Sequence, residues 1–212
     1  MKILNVLSGT RILDEKTSKY NGTLKVIRDY TWGTYIVAGG LTQSGGIING
    51  IWKGALRKIW REKPEVKNCL ILGLGGGTSA RLVHANWKEA KIIGVDIDSV
   101  IVDLGRKYLR LDESNVKIQI GDALKFVENS KEKFDLILVD LYVGDKFPVE
   151  FEREEFVKKI KKITNKNGIV VFNRVLGKDK GKVEKFGDML EKVFERRENI
   201  MPEANLLLIC YN

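Results

Sequence analysis

Cys69-Leu70-Ile71-Leu72-Gly73-Leu74-Gly75-Gly76-Gly77-Thr78, answered further on by Gly94-Val95-Asp96-Ile97-Asp98, decides the fold. An apolar strand runs into a glycine-rich turn, a helical stretch follows, and a second apolar strand ends on a carboxylate. This is the βαβ layout that grips a nucleoside-bearing cofactor. Glycines let the backbone approach the ligand, and the acid at the second strand end accepts hydrogen bonds from ribose hydroxyls. The turn departs from the G-x-G-x-x-G of nicotinamide binding, because Thr78 stands at the third glycine position. It meets G-x-G-x-G in full with Gly73, Gly75 and Gly77, which suits a cofactor without a pyrophosphate, its amino-acid tail lying against the turn. A tight βα turn with no ligand is the plain alternative.

Strands and helices alternate around this unit. The pattern predicts strands at 68–73, 91–95, 116–120, 135–139 and 168–173, and helices at 78–88, 99–108, 122–130, 151–163 and 179–195. Near-continuous apolar runs such as Phe134-Asp135-Leu136-Ile137-Leu138-Val139 mark a parallel sheet buried on both faces. The expected fold is α/β: a doubly wound, mostly parallel, Rossmann-like sheet, closed by an antiparallel hairpin around Pro202. Upstream, residues 1–45 read as β-rich, with strands at Leu24–Tyr30 and Gly33–Val37 and a turn at Asn21-Gly22. Ile48, Ile51, Trp52, Ala55, Leu56 and Ile59 then recur at helical spacing, and Pro64 closes that helix. The expected division is a small β-rich domain over 1–62, ending in a helix, and a cofactor-binding domain over 63–212.

Composition narrows the setting. A 212-residue chain with 43% hydrophobic and 31% charged residues suits a folded, soluble protein with one sizeable core. No run is long and apolar enough for a membrane span, and the first residues are too short an apolar stretch for a secretory signal, so a cytoplasmic location is expected. Cys69 and Cys210 lie in strand-like runs and read as buried thiols. With His84 the single histidine, no Cys/His set has metal-ligand spacing and no metal is expected. A formal net charge of +9 admits a nucleic-acid partner. However, lysines interleave with glutamates, as in Lys182-Val183-Glu184-Lys185, and even Lys158-Lys159-Ile160-Lys161-Lys162 fits an amphipathic helix. Solvated helix faces are therefore favoured over nucleic-acid binding.

Three acids stand at successive strand ends: Asp96, then Asp122 in Gly121-Asp122-Ala123, then Asp140 in Val139-Asp140-Leu141-Tyr142. Ligands of open α/β sheets sit beyond those carboxyl ends. A helix N-cap is the competing reading for Asp122; for the helix after Asp96, Asp98 or Ser99 fits the cap better. Together these residues resemble the S-adenosylmethionine-dependent class I methyltransferase fold, and more narrowly its spermidine synthase (polyamine aminopropyltransferase) branch. The resemblance covers nearly the whole chain and includes Ala38-Gly39-Gly40-Leu41-Thr42-Gln43-Ser44. It implies that Gln43 reaches the cofactor from the N-terminal domain. It also implies that the Gly73, Gly75, Gly77 and Thr78 turn carries the tail, that Asp96 holds the ribose and Asp122 the adenine, and that the neighbouring Ile97 and Ala123 belong to the cofactor site. Asp140 would then face the reacting centre, where in the family it helps deprotonate the attacking amine. A homodimer is implied as well.

The chain departs from that pattern. Thr78 replaces the aspartate that pairs with the ammonium of decarboxylated S-adenosylmethionine. The segment Gly45–Gly54 lacks the family's acids, with Trp52 and Lys53 near its Tyr and His positions. The loop Asp140–Pro148 keeps the first acid of Asp-Ser-x-Asp-Pro, and Asp145 could stand in for the second. Lost carboxylates disfavour a polycationic acceptor, since an unpaired desolvated ammonium is costly. The sequence therefore ranks an S-adenosylmethionine-dependent methyltransferase acting on a small-molecule acceptor first. Asp140 would be its general base or acceptor-orienting group, and Tyr142 would shape the pocket. Aminopropyl transfer from decarboxylated S-adenosylmethionine to an amine ranks second, and a non-catalytic nucleoside- or RNA-binding module third. Trp52 is read as core before acceptor platform; Asn173 either reaches the cleft or caps a turn.

Overall fold

Side-chain parity along one strand shows how the molecule is layered. The computed structural model describes residues 9–144, 146–176 and 180–212. Among these residues, β1 (Arg11–Ser18), β2 (Gly22–Asp29), β3 (Gly33–Ala38) and β4 (Leu41–Gly45) form an antiparallel sheet in chain order. Helix α1 (Gly46–Glu62) follows. Then come β5 (Asn68–Leu72), α2 (Thr78–Asn86), β6 (Lys91–Asp96), α3 (Ser99–Leu109), β7 (Val116–Ile120), α4 (Ala123–Asn129), β8 (Phe134–Val139), α5 (Glu154–Ile163), β9 (Thr164–Val175), α6 (Lys180–Val193), β10 (Arg196–Ile200) and β11 (Asn205–Tyr211). The second sheet runs β7-β6-β5-β8-β9-β11-β10. Its first five strands are parallel, and the β10–β11 hairpin is antiparallel at the far edge.

On β5, Cys69 and Ile71 face a core shared with α1, α2, α3 and the inner residues Leu24, Val26, Ile36 and Ala38 of the four-stranded sheet. Leu70 and Leu72 face the opposite core, filled from α4, α5 and α6 by Val127, Phe156, Ile160, Phe186 and Leu190. A strand buried on both faces needs apolar residues on both, which is why β5 and β8 read as near-continuous apolar runs. Between β5 and β8 the connection changes direction, so helices lie on both sides and a crevice opens at the strands' carboxyl ends.

Several boundaries differ from expectation for local reasons. Helix α2 stops at Asn86 rather than 88, because Trp87 leaves helical geometry and its indole N–H reaches the Lys63 carbonyl at 3.1 Å. Helix α5 starts at Glu154 rather than 151: Pro148 opens a 3₁₀ turn, Val149–Glu152, and Phe151 sits edge-on to Phe156. Strand β9 is longer than 168–173 because β11 pairs with it as far as Val175 and β8 meets it as early as Thr164. The expected start of the sixth helix at 179, Asp145, and the first part of the β-rich stretch lie outside the described residues. Among the described residues no helix is long and apolar enough to cross a membrane.

Candidate active site

A cavity of about 490 Å³ occupies the crevice. Its geometry begins with Gly73, where β5 ends. That residue has φ 86°, and a Cβ built on it would lie 2.0 Å from the carbonyl oxygen of Asp140. Only glycine lets the ends of β5 and β8 come so close. The turn then folds back on β6: the Gly73 and Leu74 N–H groups both donate to the Val95 carbonyl, at 2.9 and 3.1 Å.

Asp96 closes β6 and organises the turn. Its carboxylate accepts from the Gly75 N–H at 2.6 Å and from the Asp98 N–H at 2.9 Å. Burial pushes its carboxyl up to about 6, against the pull of those two donors. Asp98, not Asp96, caps α3, accepting from the Val100 N–H at 3.0 Å. It also takes the Ser18 hydroxyl and the Asn21 amide, the latter at 2.6 Å. Asp122 is the N-cap that its competing reading expected, and it also faces the crevice. It caps α4, accepting from Leu124 N–H at 2.7 Å and Lys125 N–H at 3.3 Å, and it lines the cavity beside Ala123. Ile97 opens an apolar side chain into the same space.

Gly77 and Thr78, expected at the cofactor's tail, stand back from the cavity. Gly77 takes φ 87° to start α2, and a Cβ there would strike Leu111 at 2.2 Å. Thr78 is buried, and its hydroxyl accepts from the Gly45 N–H at 2.7 Å. The Ser44 hydroxyl similarly accepts from the Gly76 N–H at 2.7 Å. These two contacts tie β4 to the glycine turn. Gln43 does line the cavity, and its amide donates to the Gly144 carbonyl at 3.2 Å. The Gly144 N–H donates to Asn21 at 3.3 Å, so the loop after β8 is held over the cavity from the four-stranded sheet.

Asp140 ends β8 on the cavity floor with a donor on each oxygen. Trp52 Nε1 donates to Oδ2 at 3.0 Å, and Asn173 Nδ2 donates to Oδ1 at 2.7 Å. A carboxylate has about four lone-pair sites, so both oxygens keep capacity for a further proton donor. Burial raises its pKa above the ordinary carboxylate value, and the two donors oppose the rise. Trp52 is thus both core, at 0% exposure, and a direct contact of the acid. Asn173 reaches the cleft. Tyr142 contributes its ring to the wall, but its hydroxyl is spent on β9, accepting from the Val175 N–H at 2.7 Å and donating to the Asn173 carbonyl at 3.5 Å. Burial pushes that phenol up to about 12, so it stays protonated.

Sequence reading missed Asn205, Glu150 and Glu203, all on the cavity. Glu150 lies in the 3₁₀ turn and Glu203 in the β10–β11 loop, and neither sits in a motif. With them, the charged residues lining the cavity are Asp96, Asp122, Asp140, Glu150 and Glu203; among the described residues no Lys, Arg or His lines it. The chain as a whole carries +9. Gly45–Gly54 brings no acid to the cavity, and Glu150 and Glu203 bring acids from two other places in the fold.

Strand order, glycine turn and strand-end acids define the class: a methyltransferase-like α/β fold with an acid-lined crevice at its switch point. Residues 60–202 match the model of the spermine/spermidine synthase domain, and the chain belongs to that family. A probable polyamine aminopropyl transferase of Bifidobacterium longum is 30% identical over 132 residues, 61% of this chain and 29% of the relative. A polyamine aminopropyltransferase of Saccharolobus islandicus is 33% identical over 113 residues, 50% of this chain and 38% of the relative. The matched stretch thus spans well under half the length of these curated relatives. Among solved structures, a probable spermidine synthase from Corynebacterium glutamicum superposes with a TM-score of 0.81 at 21% identity, covering 95% of this chain and 80% of that one. Human methyltransferase-like protein 13 superposes at 0.62 with 23% identity, covering 77% and 79%. At these identities the structural likeness speaks for the fold alone.

Proposed function

We propose that the chain transfers an aminopropyl group from decarboxylated S-adenosylmethionine to an amine. The observation that carries this reading is the cavity's charge: among the described residues its charged lining is all carboxylate, inside a cationic protein. A sulfonium, an ammonium tail and an amine acceptor all find partners there. Intact S-adenosylmethionine would bring a carboxylate that meets no cation among the described lining residues, at a desolvation cost of several kcal/mol. The sequence-based preference for methyl transfer rested on the acids missing from Gly45–Gly54 and on Thr78 standing where the family has an acid; Glu150 and Glu203 line the cavity, and the Thr78 hydroxyl is engaged with Gly45. The names of the curated relatives point the same way.

In this reading Asp96 accepts the ribose hydroxyls and Asp122 the adenine amino group. Gln43 closes the donor side and Ile97 packs on the base. The acceptor's neutral nitrogen attacks the carbon bound to the sulfonium. The carbon–nitrogen bond forms as the carbon–sulfur bond breaks, and its electron pair leaves on a neutral thioether sulfur. Asp140 takes the proton released from nitrogen. Alignment of nitrogen, carbon and sulfur in a confined cavity supplies much of the rate. Glu150 and Glu203 attract the acceptor's remaining ammonium groups.

Calorimetric titration with both sulfonium forms, followed by mass spectrometry of products with di- and triamine acceptors, tests this. Tighter binding of the decarboxylated form and an acceptor heavier by one aminopropyl group are expected. Tighter binding of intact S-adenosylmethionine, with methylated product, would restore the methyltransferase reading.

A further inference from the structure

Behind Asp140 lies a second amide that no motif announces. Asn205 opens β11 at 7% exposure, and its Nδ2 donates to Asn173 Oδ1 at 2.7 Å. Asn173, at 3% exposure, passes its own Nδ2 to Asp140 Oδ1 at 2.7 Å. On the other oxygen sits the Trp52 indole, which can only donate. The line therefore runs Asn205 to Asn173 to Asp140, with Trp52 closing it from α1.

A primary amide presents a donor at one end and an acceptor at the other, and it can turn over. The chain of two amides consequently has two polarities. An ionised Asp140 only accepts, so Asn173 must show it NH₂, and Asn173 Oδ1 must then find a donor in Asn205. With both amides reversed, Asn173 Oδ1 faces Asp140, and only a protonated carboxyl satisfies it. We propose that Asn205 is a positioning residue: by donating to Asn173 it fixes that amide with its NH₂ toward Asp140 and keeps Asp140 an ionised proton acceptor. This rests on the reading of Asp140 as the base. It adds that the base's charge state is set from β11, through Asn173 and not by direct contact with Asp140.

Other ionisable groups also surround the acid. Tyr142 stands on its own loop, with Arg174 of β9 behind it; Asp96 ends β6, and Glu150 and Glu203 lie on the cavity. All of these are constant in a series at residue 205, so differences within the series report the amide line.

The experiment is a carboxyl-carbon NMR titration of Asp140 in the wild type, Asn205→Leu, Asn205→Ser and Asn205→Asp, beside the pH profile of kcat/KM. Losing the donor in Asn205→Leu frees Asn173 to turn its oxygen to Asp140, which should raise the Asp140 midpoint by about half a pH unit or more. Asn205→Asp, which can only accept when ionised, should raise it further. Asn205→Ser keeps a hydroxyl donor and should return the midpoint toward wild type. The acid limb of kcat/KM should move with it. An unmoved Asp140 midpoint in both Asn205→Leu and Asn205→Asp, with lowered thermal stability alone, would overturn the proposal. The NMR titration needs no turnover. A shifted midpoint in a protein without aminopropyl transfer would uphold the amide line and sink the proposed reaction. Transfer with an unshifted midpoint would do the reverse.

Discussion

Asp96 carries two duties that pull against each other. It ties the glycine turn through Gly75 N–H, and in the proposed function it accepts the ribose hydroxyls, for which the ionised carboxylate is the stronger acceptor. Burial, above all, raises its pKa from the ordinary carboxylate range to about 6. The folded state therefore holds its proton more tightly than the unfolded state does. That favours folding at pH below the unfolded value, and the advantage is lost as pH rises from about 4 through 6. Donor binding runs the opposite way. Calorimetric affinity for the nucleoside should fall as pH drops below about 6, approaching tenfold per pH unit, and Asp96→Asn should bind weakly with a flat profile. Thr78 is the contrasting residue. Thr78→Val leaves the buried Gly45 N–H without its acceptor and should cost about 1–3 kcal/mol in denaturant unfolding, with donor affinity of the folded fraction unchanged. Gly73, Asp96 and Asp140 were legible because a strand-to-turn junction dictates its own glycine and its own terminal acid. The direction of Thr78 was not, since it depends on a partner 33 residues away in the chain. Asn205 was illegible for the same reason: it meets Asn173 across 32 residues.

Among the elements, α1 links the two sheets' chemistry. Its apolar stripe, Ile51, Trp52, Ala55, Leu56 and Ile59, is fully legible in the sequence and fully buried. What the stripe does not reveal is that one of its members also delivers an N–H to Asp140. Trp52→Phe keeps most of the apolar volume and removes that donor. The measured outcome should be kcat down by about tenfold or more, with donor affinity held within about twofold, because a charge-assisted hydrogen bond is worth about 1.5–3 kcal/mol. Strands β2 and β3 were found by their β-branched and aromatic residues, whereas β1 and β4 were read only as part of a β-rich stretch. β1 is polar and largely exposed, and β4 is a short run ending in glycine, so neither carries a period-2 signal. The parallel strands carried a strong signal because both of their faces are buried.

At the scale of the whole molecule, the two sheets share one apolar core and several polar ties. Leu24 and Ile36 of the small sheet sit in the same cluster as Ile71 of the large one, and Ser44 and Gly45 bind the glycine turn. Neither sheet keeps its buried face alone. Far-UV circular dichroism and tryptophan fluorescence should therefore report one unfolding midpoint; two separated midpoints would show that the small sheet stands or falls independently. The fold class was readable from β5 onward because alternation of strand and helix is a property of the sequence itself. The acidity of the cavity was not, since Glu150 and Glu203 arrive from loops whose meeting depends on the completed sheet. That acidity has an effect on turnover. In the proposed reaction the donor enters with a positive sulfur and departs as an uncharged thioether, so the electrostatic grip that admits fresh substrate slackens once it is spent. Competition measurements should find the thioether nucleoside bound at least several-fold more weakly than its sulfonium parent, which would let the enzyme clear itself without a separate opening step.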